Sequence, residues 1–269
     1  MRSAAPGWVN ACRPLILTLT EQFAALAAGV SDAGWNAASS CAGWSVAELV
    51  AHLAFGANYY SRAVTDALDA APRALWSGGG DVAHAQQRTF MRATPADGVA
   101  MLREASRHLD AAFARVAAAD MTLNAWHMRG PRPIWMYVAM RLYELALHDW
   151  DLQKSLRPDP TLARDVALPL VDLMLAAILP ATLDTVAAHA VRADVAFVFG
   201  DDQPMRCVRI EDGALRATAP GGTEPHVTLA LEPEAFVLGM TGRLAWPVGA
   251  RITGDADLAD NFAALFRVW

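Results

Sequence analysis

Apolar residues recur every three or four positions through the first half of the chain, a period typical of amphipathic helices. The pattern predicts helices over 8–29, 45–69, 81–92, 95–118 and 133–155. The second helix has a clear start, because Ser45 precedes it and Glu48 follows three residues later, which is the spacing of a capping box. Long helices with short connections predict an up-and-down four-helix bundle.

The pattern changes in the second half of the chain. The segment "LRPDPT" at 156–161 places two prolines around an aspartate and indicates a boundary. Short β-type runs follow, separated by the turns "DDQP", "EDG" and "PGGTEP", with helical pieces at about 233–241 and 255–267. We therefore expect a helical bundle over 1–157 and a small α+β domain over 158–269.

The most informative segment is "MRLYELALHDWDL" at 140–152, an apolar run that carries a stripe of polar residues. Residues at helical intervals of three and four share one face. Because nearly every other position is apolar, the helix is expected to be buried, and buried charge needs compensation. The stripe, with intervals of three, four and three, consists of Arg141, Glu144, His148 and Asp151, and Tyr137 extends it by one turn.

A metal ion is one form that this compensation could take. Glu144 and His148 stand four residues apart, so both can bind one ion, and His52 on the capped helix is the candidate third ligand. Two histidines and one carboxylate leave a coordination position open, which is typical of catalytic zinc. Asp151 and Arg141 would then orient ligands or meet an anion. The alternative is a salt bridge between Glu144 and Arg141 with no metal.

Two further residues are candidates for chemistry. Cys41 precedes His52 by eleven residues and could be a nucleophile or a ligand, but no local signature surrounds it, and a small buried thiol is the favoured interpretation. Arg243 follows Gly242 in "LGMTGRLAWP" and could bind a carboxylate with its forked guanidinium. The alternative for Arg243 is a solvated arginine at a helix C-terminus.

Composition narrows the possible partners. The formal net charge is −6 and no run of basic residues forms a patch, which argues against nucleic acid. The three cysteines form no CxxC pair, so we expect a reducing cytoplasm and no disulfide framework. No apolar run reaches the length of a membrane span, and the N-terminal segment is typical of an amphipathic helix rather than a signal peptide.

The polar positions also resemble a known family. "CAGWSVAELVAHLA" resembles the GW(T/S)xxxLxxH segment of the DinB-like superfamily, and "RLYELALHDWDL" resembles the RxxExxxHxxD segment of its mycothiol-dependent maleylpyruvate isomerase branch. The C-terminal segments "LEPEAFVLGMTGR" and "ARITGDADLADNF" resemble the sterol-carrier-type domain that is fused to that bundle. The resemblance spans nearly the whole chain.

The resemblance implies a DinB-like four-helix bundle followed by a small sterol-carrier-like α+β domain. It implies a Zn²⁺ ion held by His52, Glu144 and His148, with mycothiol as the thiol cofactor. The lysine-poor, arginine-rich composition fits a GC-rich actinobacterial genome, in which mycothiol is made. The residues expected to contact the ligands or the substrate are Arg141, Asp151 and Tyr137.

The implied reaction is addition of a thiolate to an electrophile. The thiol would lose its proton on binding zinc, add to the double bond of a cis-enoyl diacid, allow rotation and leave again, so that the product is the trans isomer. Arg243 matches an arginine of the family that acts on the substrate. Asp149 departs from the family pattern, because relatives often carry arginine at this position, and it leaves the substrate open.

Two other functions remain open at this point. A mycothiol S-transferase would use the same thiolate but leave it attached to the product. A lipid- or small-ligand-binding protein would carry a structural metal, which requires a fourth protein ligand, and the sequence offers no convincing one. The expected partners are a small-molecule thiol and a small electrophile, without nucleic acid or membrane, and the oligomeric state stays open.

Overall fold

A computed structural model describes residues 7–70, 93–127, 130–221 and 224–267. The chain separates into two compact units, Met1–Thr161 and Leu162–Trp269. The first is helical and the second contains a sheet, so the predicted fold class of a helical bundle followed by an α+β domain is confirmed. The division between the units lies near the 157/158 boundary that the prolines indicate.

The first unit is a bundle of long helices within the described ranges. Helix α1 contacts α4 and α5, and helix α3 contacts the same two helices, so that each long helix has two neighbours. The predicted helix over 81–92 lies outside the described residues. The elements of this unit are α1 (Cys12–Ala28), α2 (Asp32–Trp35), α3 (Val46–Leu68), α4 (Pro95–Ala114), β1 (Asn124–Ala125), β2 (Arg132–Pro133) and α5 (Ile134–Leu156).

The start of α3 is fixed by the predicted capping box. The Ser45 hydroxyl accepts a hydrogen bond from the Glu48 backbone N–H at 3.3 Å, and the Glu48 carboxylate accepts one from the Ser45 N–H at 2.6 Å. These bonds satisfy backbone donors that a helix start leaves without partners. The apolar face that follows, with Leu49 and Leu53 both 0% exposed, packs into the bundle.

Helix α5 is buried on nearly every side, as its sequence predicts. Its apolar residues Leu142 and Leu145 are 0% exposed. The polar stripe faces inward as well, since Arg141 and Asp151 are buried and Glu144 and His148 are at most partly exposed. A buried polar stripe is therefore available for a site inside the bundle.

The second unit is built on a five-stranded sheet in the order β5-β4-β3-β6-β7 among the described residues. Neighbouring strands are antiparallel except β3 and β6, which are parallel. Helix α9 lies against α6, and a cluster of aromatic rings around Phe197, Phe236 and Phe262 forms the core. The strands are β3 (Ala193–Val198), β4 (Arg206–Glu211), β5 (Ala214–Thr218), β6 (Val227–Ala230) and β7 (Arg251–Gly254), and the closing helices are α9 (Pro233–Met240) and α10 (Ala256–Asn261).

Strand β7 is absent from the sequence prediction. Its residues pair with β6 through the backbone, and Ile252 is its one large apolar side chain. An edge strand of four residues has too little alternation for a period-two pattern to be visible. Backbone pairing with a neighbour, rather than side-chain pattern, therefore determines this strand.

The helical run that begins the second unit is interrupted, as Pro169 and Pro180 suggest. Helix α6 (Arg164–Leu173) continues into a π-helical turn at Met174–Ile178 and the short helices α7 (Leu179–Thr182) and α8 (Thr185–Ala188). Proline removes a backbone donor, which favours such irregular turns. Among the described residues, Arg164–Thr182 is the one helical run long and apolar enough to span a membrane, but 61% of it is buried inside the protein, as in a core helix.

We expect Ser45→Ala to lower the free energy of unfolding by about 1 kcal/mol, because the start of α3 loses its side-chain acceptor. Urea unfolding at neutral pH measures the change. Glu48→Ala removes the bonds that its carboxylate accepts from the Ser45 N–H and hydroxyl but keeps the cap bond to the Ser45 hydroxyl, and it should cost less. An unchanged urea midpoint for Ser45→Ala would show that the capping box contributes nothing to the stability of the protein.

Candidate metal centre

Two histidines from different helices meet where α3 lies against α5. His52 comes from α3 and His148 from α5, and the centroids of their rings are 5.0 Å apart. Trp44, just before α3, stacks on His148 at 5.6 Å and tilts against His52 at 4.8 Å. The pair predicted from sequence is thus brought together beneath an indole ring.

His148 is held by a carboxylate on its own helix. Its Nδ1 lies 3.0 Å from Oδ2 of Asp151, which is 1% exposed. When Nδ1–H donates to this carboxylate, Nε2 keeps its lone pair and can bind a metal. Asp151 therefore lies where the sequence expects a ligand-orienting group.

Glu144 has one satisfied and one unsatisfied oxygen. Its Oε1 accepts a hydrogen bond from the Tyr60 hydroxyl at 2.9 Å. Its Oε2 is buried and has no hydrogen-bond partner among the described residues. The absence of a side chain at Gly56 makes room for this oxygen, since a Cβ there would lie 3.3 Å from it. A buried carboxylate oxygen without a partner is costly and indicates a missing ligand.

Arg141 is fully buried, one turn from Glu144. Its guanidinium donates to the Leu53 carbonyl at 2.8 Å and to the Ser106 hydroxyl at 3.3 Å. These bonds tie α5 to α3 and α4. Its described hydrogen bonds reach none of the predicted metal ligands, so both predicted roles of Arg141, orienting a ligand and meeting an anion, stay predictions.

The electrostatics of the centre favour neutral histidine. Burial, His148 and Arg141 together lower the pKa of His52 to about 3. Burial raises the pKa of the Glu144 carboxyl, although Arg141 and the Tyr60 hydrogen bond act in the opposite direction. Neutral imidazole is the form that binds metals. His52 is therefore ready to act as a ligand at neutral pH.

Tyr137 extends the stripe by one turn but lies in an aromatic cluster. Its hydroxyl donates to the Trp126 carbonyl, and its ring meets those of Tyr60 at 5.1 Å and His127 at 6.2 Å. Burial raises its pKa above the usual range, so the hydroxyl stays protonated. Tyr137 therefore packs against Tyr60, the residue that donates to Glu144, and a role of Tyr137 toward the substrate stays a prediction.

Cys41 lies closer to this centre than its sequence indicates. Ligand atoms of Cys41, His148 and Asp151 all lie within 4.8 Å of one another. The favoured interpretation of a small buried thiol is wrong, because Cys41 is partly exposed. The sequence separation between Cys41 and His52 does not indicate that Cys41 lies near His148. This proximity arises from the path of the loop before α3.

Tyr60 and Trp44 are site residues that the sequence does not single out. Tyr60 follows His52 by eight residues, so it lies about two turns further along the same face of α3, a signal that was available. Trp44 precedes the helix, and helical periodicity does not extend to it. Its position over the histidines depends on the loop.

The remaining candidates are Asp149 on α5 and Arg243 in the second unit. Asp149 points to a different face of α5, where the Gln153 amide donates to its carboxylate. Gln153 in turn contacts the backbone of Thr161, so this network fastens the end of α5 to the segment that follows. Arg243 belongs to the second unit, directly after α9, and its substrate role stays a prediction.

The donor types are those of a divalent metal site such as zinc. The imidazoles of His52 and His148 lie together where α3 meets α5, and the buried Oε2 of Glu144 on α5 has no hydrogen-bond partner among the described residues. Two histidines and a carboxylate are the donor types of a His2Glu site. The ligand atoms that lie within 4.8 Å of one another in the described structure are those of Cys41, His148 and Asp151, so the convergence of His52, Glu144 and His148 on one ion stays a prediction. Fold and site together define a helical-bundle protein with a candidate metal centre between α3 and α5.

Comparison with known proteins identifies the family. The model of the mycothiol maleylpyruvate isomerase N-terminal domain matches residues 16–153, about half of the chain. The chain therefore belongs to the mycothiol-dependent maleylpyruvate isomerase family, and the resemblance noted in the sequence is confirmed. No curated protein sequence matches it at a significant level.

Solved structures support the same fold. The crystal structure of the mycothiol-dependent maleylpyruvate isomerase superimposes with a TM-score of 0.67 at 16% identity, covering 97% of each chain. A histidine-to-alanine mutant of that isomerase gives the same TM-score at 15% identity. At this identity the likeness shows a common fold over both units.

In metal-free protein, we expect His52 to make folding sensitive to acid. Its pKa is about 3 when folded and near 6.5 when unfolded, so the unfolded chain binds the extra proton between these values. The stability of wild type should therefore fall as the pH drops below 6.5. Relative to His52→Gln, we expect an additional loss of roughly 2 kcal/mol near pH 4.5.

Urea unfolding in the presence of a chelator, at several pH values, measures this difference. His108→Gln, which changes an exposed histidine on α4, is the matched control and should follow wild type. Parallel pH profiles for wild type and His52→Gln would contradict a buried neutral His52.

Proposed function

We propose that this chain is a metal-dependent enzyme that uses mycothiol as a nucleophile toward a small electrophile, as a maleylpyruvate isomerase-type cis–trans isomerase. The observation that carries the proposal is the buried Oε2 of Glu144, which lacks a partner among the described residues and lies on the helix that also carries His148. The structural relative is itself a mycothiol-dependent maleylpyruvate isomerase, which supports the choice of thiol.

The proposed ligands are His52, Glu144 and His148. When bound there, a zinc ion would act as a Lewis acid that lowers the pKa of a coordinated thiol. Three protein ligands leave a position for that thiol, which is typical of catalytic rather than structural zinc. The alternative of a salt bridge without metal is less favoured, because the hydrogen bonds of Arg141 go to Leu53 and Ser106.

The neighbouring residues would hold the ligands in place. Asp151 would accept a hydrogen bond from Nδ1–H of His148, which would leave the Nε2 lone pair for the ion. Tyr60 holds Oε1 of Glu144 and leaves Oε2 to face the ion. Trp44 covers both imidazoles with an apolar ring, which limits access of water. These residues supply orientation rather than bond chemistry.

The second unit would supply the group that acts on the substrate. When bound, the thiol would supply a nucleophile for reversible addition to the double bond of a cis-enoyl diacid. Rotation about the resulting single bond before the thiol departs would give the trans isomer. Addition places negative charge on the adjacent carbonyl oxygen. In our proposal the Arg243 guanidinium binds a substrate carboxylate and stabilises this charge.

We expect purified wild type to hold about one zinc ion per chain, and His148→Ala to bind zinc at least ~100-fold more weakly, because one of three ligands is lost. Metal analysis and chelator competition measure this. His108→Ala changes an exposed histidine on α4 and should retain the metal. Metal-free wild type under zinc-preserving conditions would refute the proposal.

Thiol binding extends this test. Mycothiol should raise the melting temperature of the zinc-loaded protein, while glutathione should not. Conversion of maleylpyruvate to its trans isomer supports the isomerase, and accumulation of a stable thioether would indicate an S-transferase instead. Indifference to both thiols, with zinc bound, would favour a ligand-binding protein with a structural metal.

We expect Arg243→Gln to lower kcat/KM by about 10²–10³-fold, because the developing negative charge loses its cationic partner. Zinc content and stabilisation by mycothiol should be unchanged, which separates this effect from damage to the metal centre. Arg251→Gln, at an exposed arginine of β7, is the matched control. Full activity of Arg243→Gln would remove the residue from the mechanism.

A further inference from the structure

A cysteine lies beside the metal centre, on the loop that leads into α3. The ligand atoms of Cys41, His148 and Asp151 are all within 4.8 Å of one another. A sulfur and a nitrogen on one tetrahedral zinc ion lie about 3.5 Å apart, since Zn–S is about 2.3 Å and Zn–N about 2.0 Å. The sulfur of Cys41 and a ring nitrogen of His148 are therefore at most 4.8 Å apart, against about 3.5 Å on a shared ion.

The loop that carries Cys41 is closed by its own backbone. Ala38 and Ser45 form an antiparallel bridge, and the Ser39 N–H donates to the Trp44 carbonyl at 2.7 Å. The Cys41 N–H donates to the Ser39 hydroxyl at 3.2 Å. This hydrogen bonding sets the position of the thiol through the backbone.

The same loop is fastened to α5 at the turn that carries the site. The Ser40 N–H donates to the Ser155 hydroxyl at 2.8 Å, and that hydroxyl donates to the Asp151 carbonyl at 2.7 Å. The Asp151 carboxylate is already engaged with His148. Within the cluster, the sulfur of Cys41 is therefore the metal-ligand atom that is additional to those of His148 and Asp151. Thiolate is a ligand that zinc favours.

We propose that Cys41 is a fourth, exchangeable ligand of the metal ion held by His52, Glu144 and His148. This inference rests on the proposed function. Binding of a cofactor thiol would release Cys41 as a neutral thiol that carries the proton given up by the incoming thiol. One thiolate replaces another, so the exchange leaves the charge of the site unchanged.

A structural metal site also has four protein ligands, but none of them is displaced. In the present proposal, Cys41 is displaced by the cofactor thiol. Cys41 is partly exposed, so an external thiol can reach it. Cys12, by contrast, is 0% exposed, and burial raises its pKa to about 12, which keeps it an inert thiol. A sulfur ligand that solvent reaches is suited to displacement.

Cobalt substitution of the full-length protein tests the ligand. With one Co²⁺ per chain and no added thiol, wild type should show a sulfur-to-cobalt charge-transfer band in the near ultraviolet. Cys41→Ser and Cys41→Ala should lose this band while still binding cobalt. Cys207→Ser, a thiol of β4 in the second unit, is the matched control and should keep it.

Alkylation of the unmutated protein tests the exchange. Zinc should slow the reaction of Cys41 with iodoacetamide at least ~10-fold, because a metal-bound thiolate is less available. Saturating mycothiol should restore the reaction at Cys41 while the zinc stays bound. Because free mycothiol also consumes iodoacetamide, the quantity compared is the ratio of Cys41 to Cys207 alkylation, which zinc should lower and mycothiol should restore. Mass spectrometry of peptides reports each cysteine separately.

The outcomes separate the two proposals. If wild type binds cobalt but shows no charge-transfer band, Cys41 is not a ligand. The same conclusion follows if Cys41→Ser binds cobalt and keeps the band. Either result overturns the role of Cys41 but is compatible with the three-ligand site. Protection of Cys41 that mycothiol does not reverse overturns the exchange and supports a structural metal. Wild type that binds neither cobalt nor zinc overturns the proposed function and this inference with it.

Discussion

The buried carboxylate of Glu144 is the group around which the candidate site is organised. An ionised carboxylate in a protein interior is stable only when its oxygens are satisfied. Tyr60 satisfies one oxygen, and the other has no hydrogen-bond partner among the described residues. Gly56 allows the helices to approach closely enough for this arrangement. In the proposed site, a divalent ion would supply the missing interaction.

The centre depends on contacts between helices rather than on any single helix. Tyr60 on α3 holds Glu144 on α5, and Arg141 on α5 donates to the backbone of α3 at Leu53. The loop before α3 adds Trp44 over both imidazoles. Because the donors come from separate elements, a shift of α3 against α5 would disturb every ligand at once. Such coupling suits a site that must hold a fixed geometry.

Much of the fold follows from local signals. The capping box at Ser45 and Glu48 and the prolines near 158 are readable because their chemistry acts within a few residues. Strand β7 escapes prediction because its evidence is backbone pairing with a distant strand. The position of Cys41 escapes for a similar reason, since it depends on the loop bonding to Ser155, far along the chain.

The amino-acid sequence by itself determined the helical face on which Arg141, Glu144, His148 and Asp151 lie, because helical periodicity places residues three and four apart side by side. It also singled out His52 and the family. Only the tertiary structure decided which groups meet, since Tyr60 and Glu144 are separated by 84 residues and no local rule sets their distance. Packing of α3 on α5 leaves Oε2 of Glu144 without a hydrogen-bond partner among the described residues, and the loop before α3 places the Cys41 thiol near His148. These groups carry the chemistry proposed for the site.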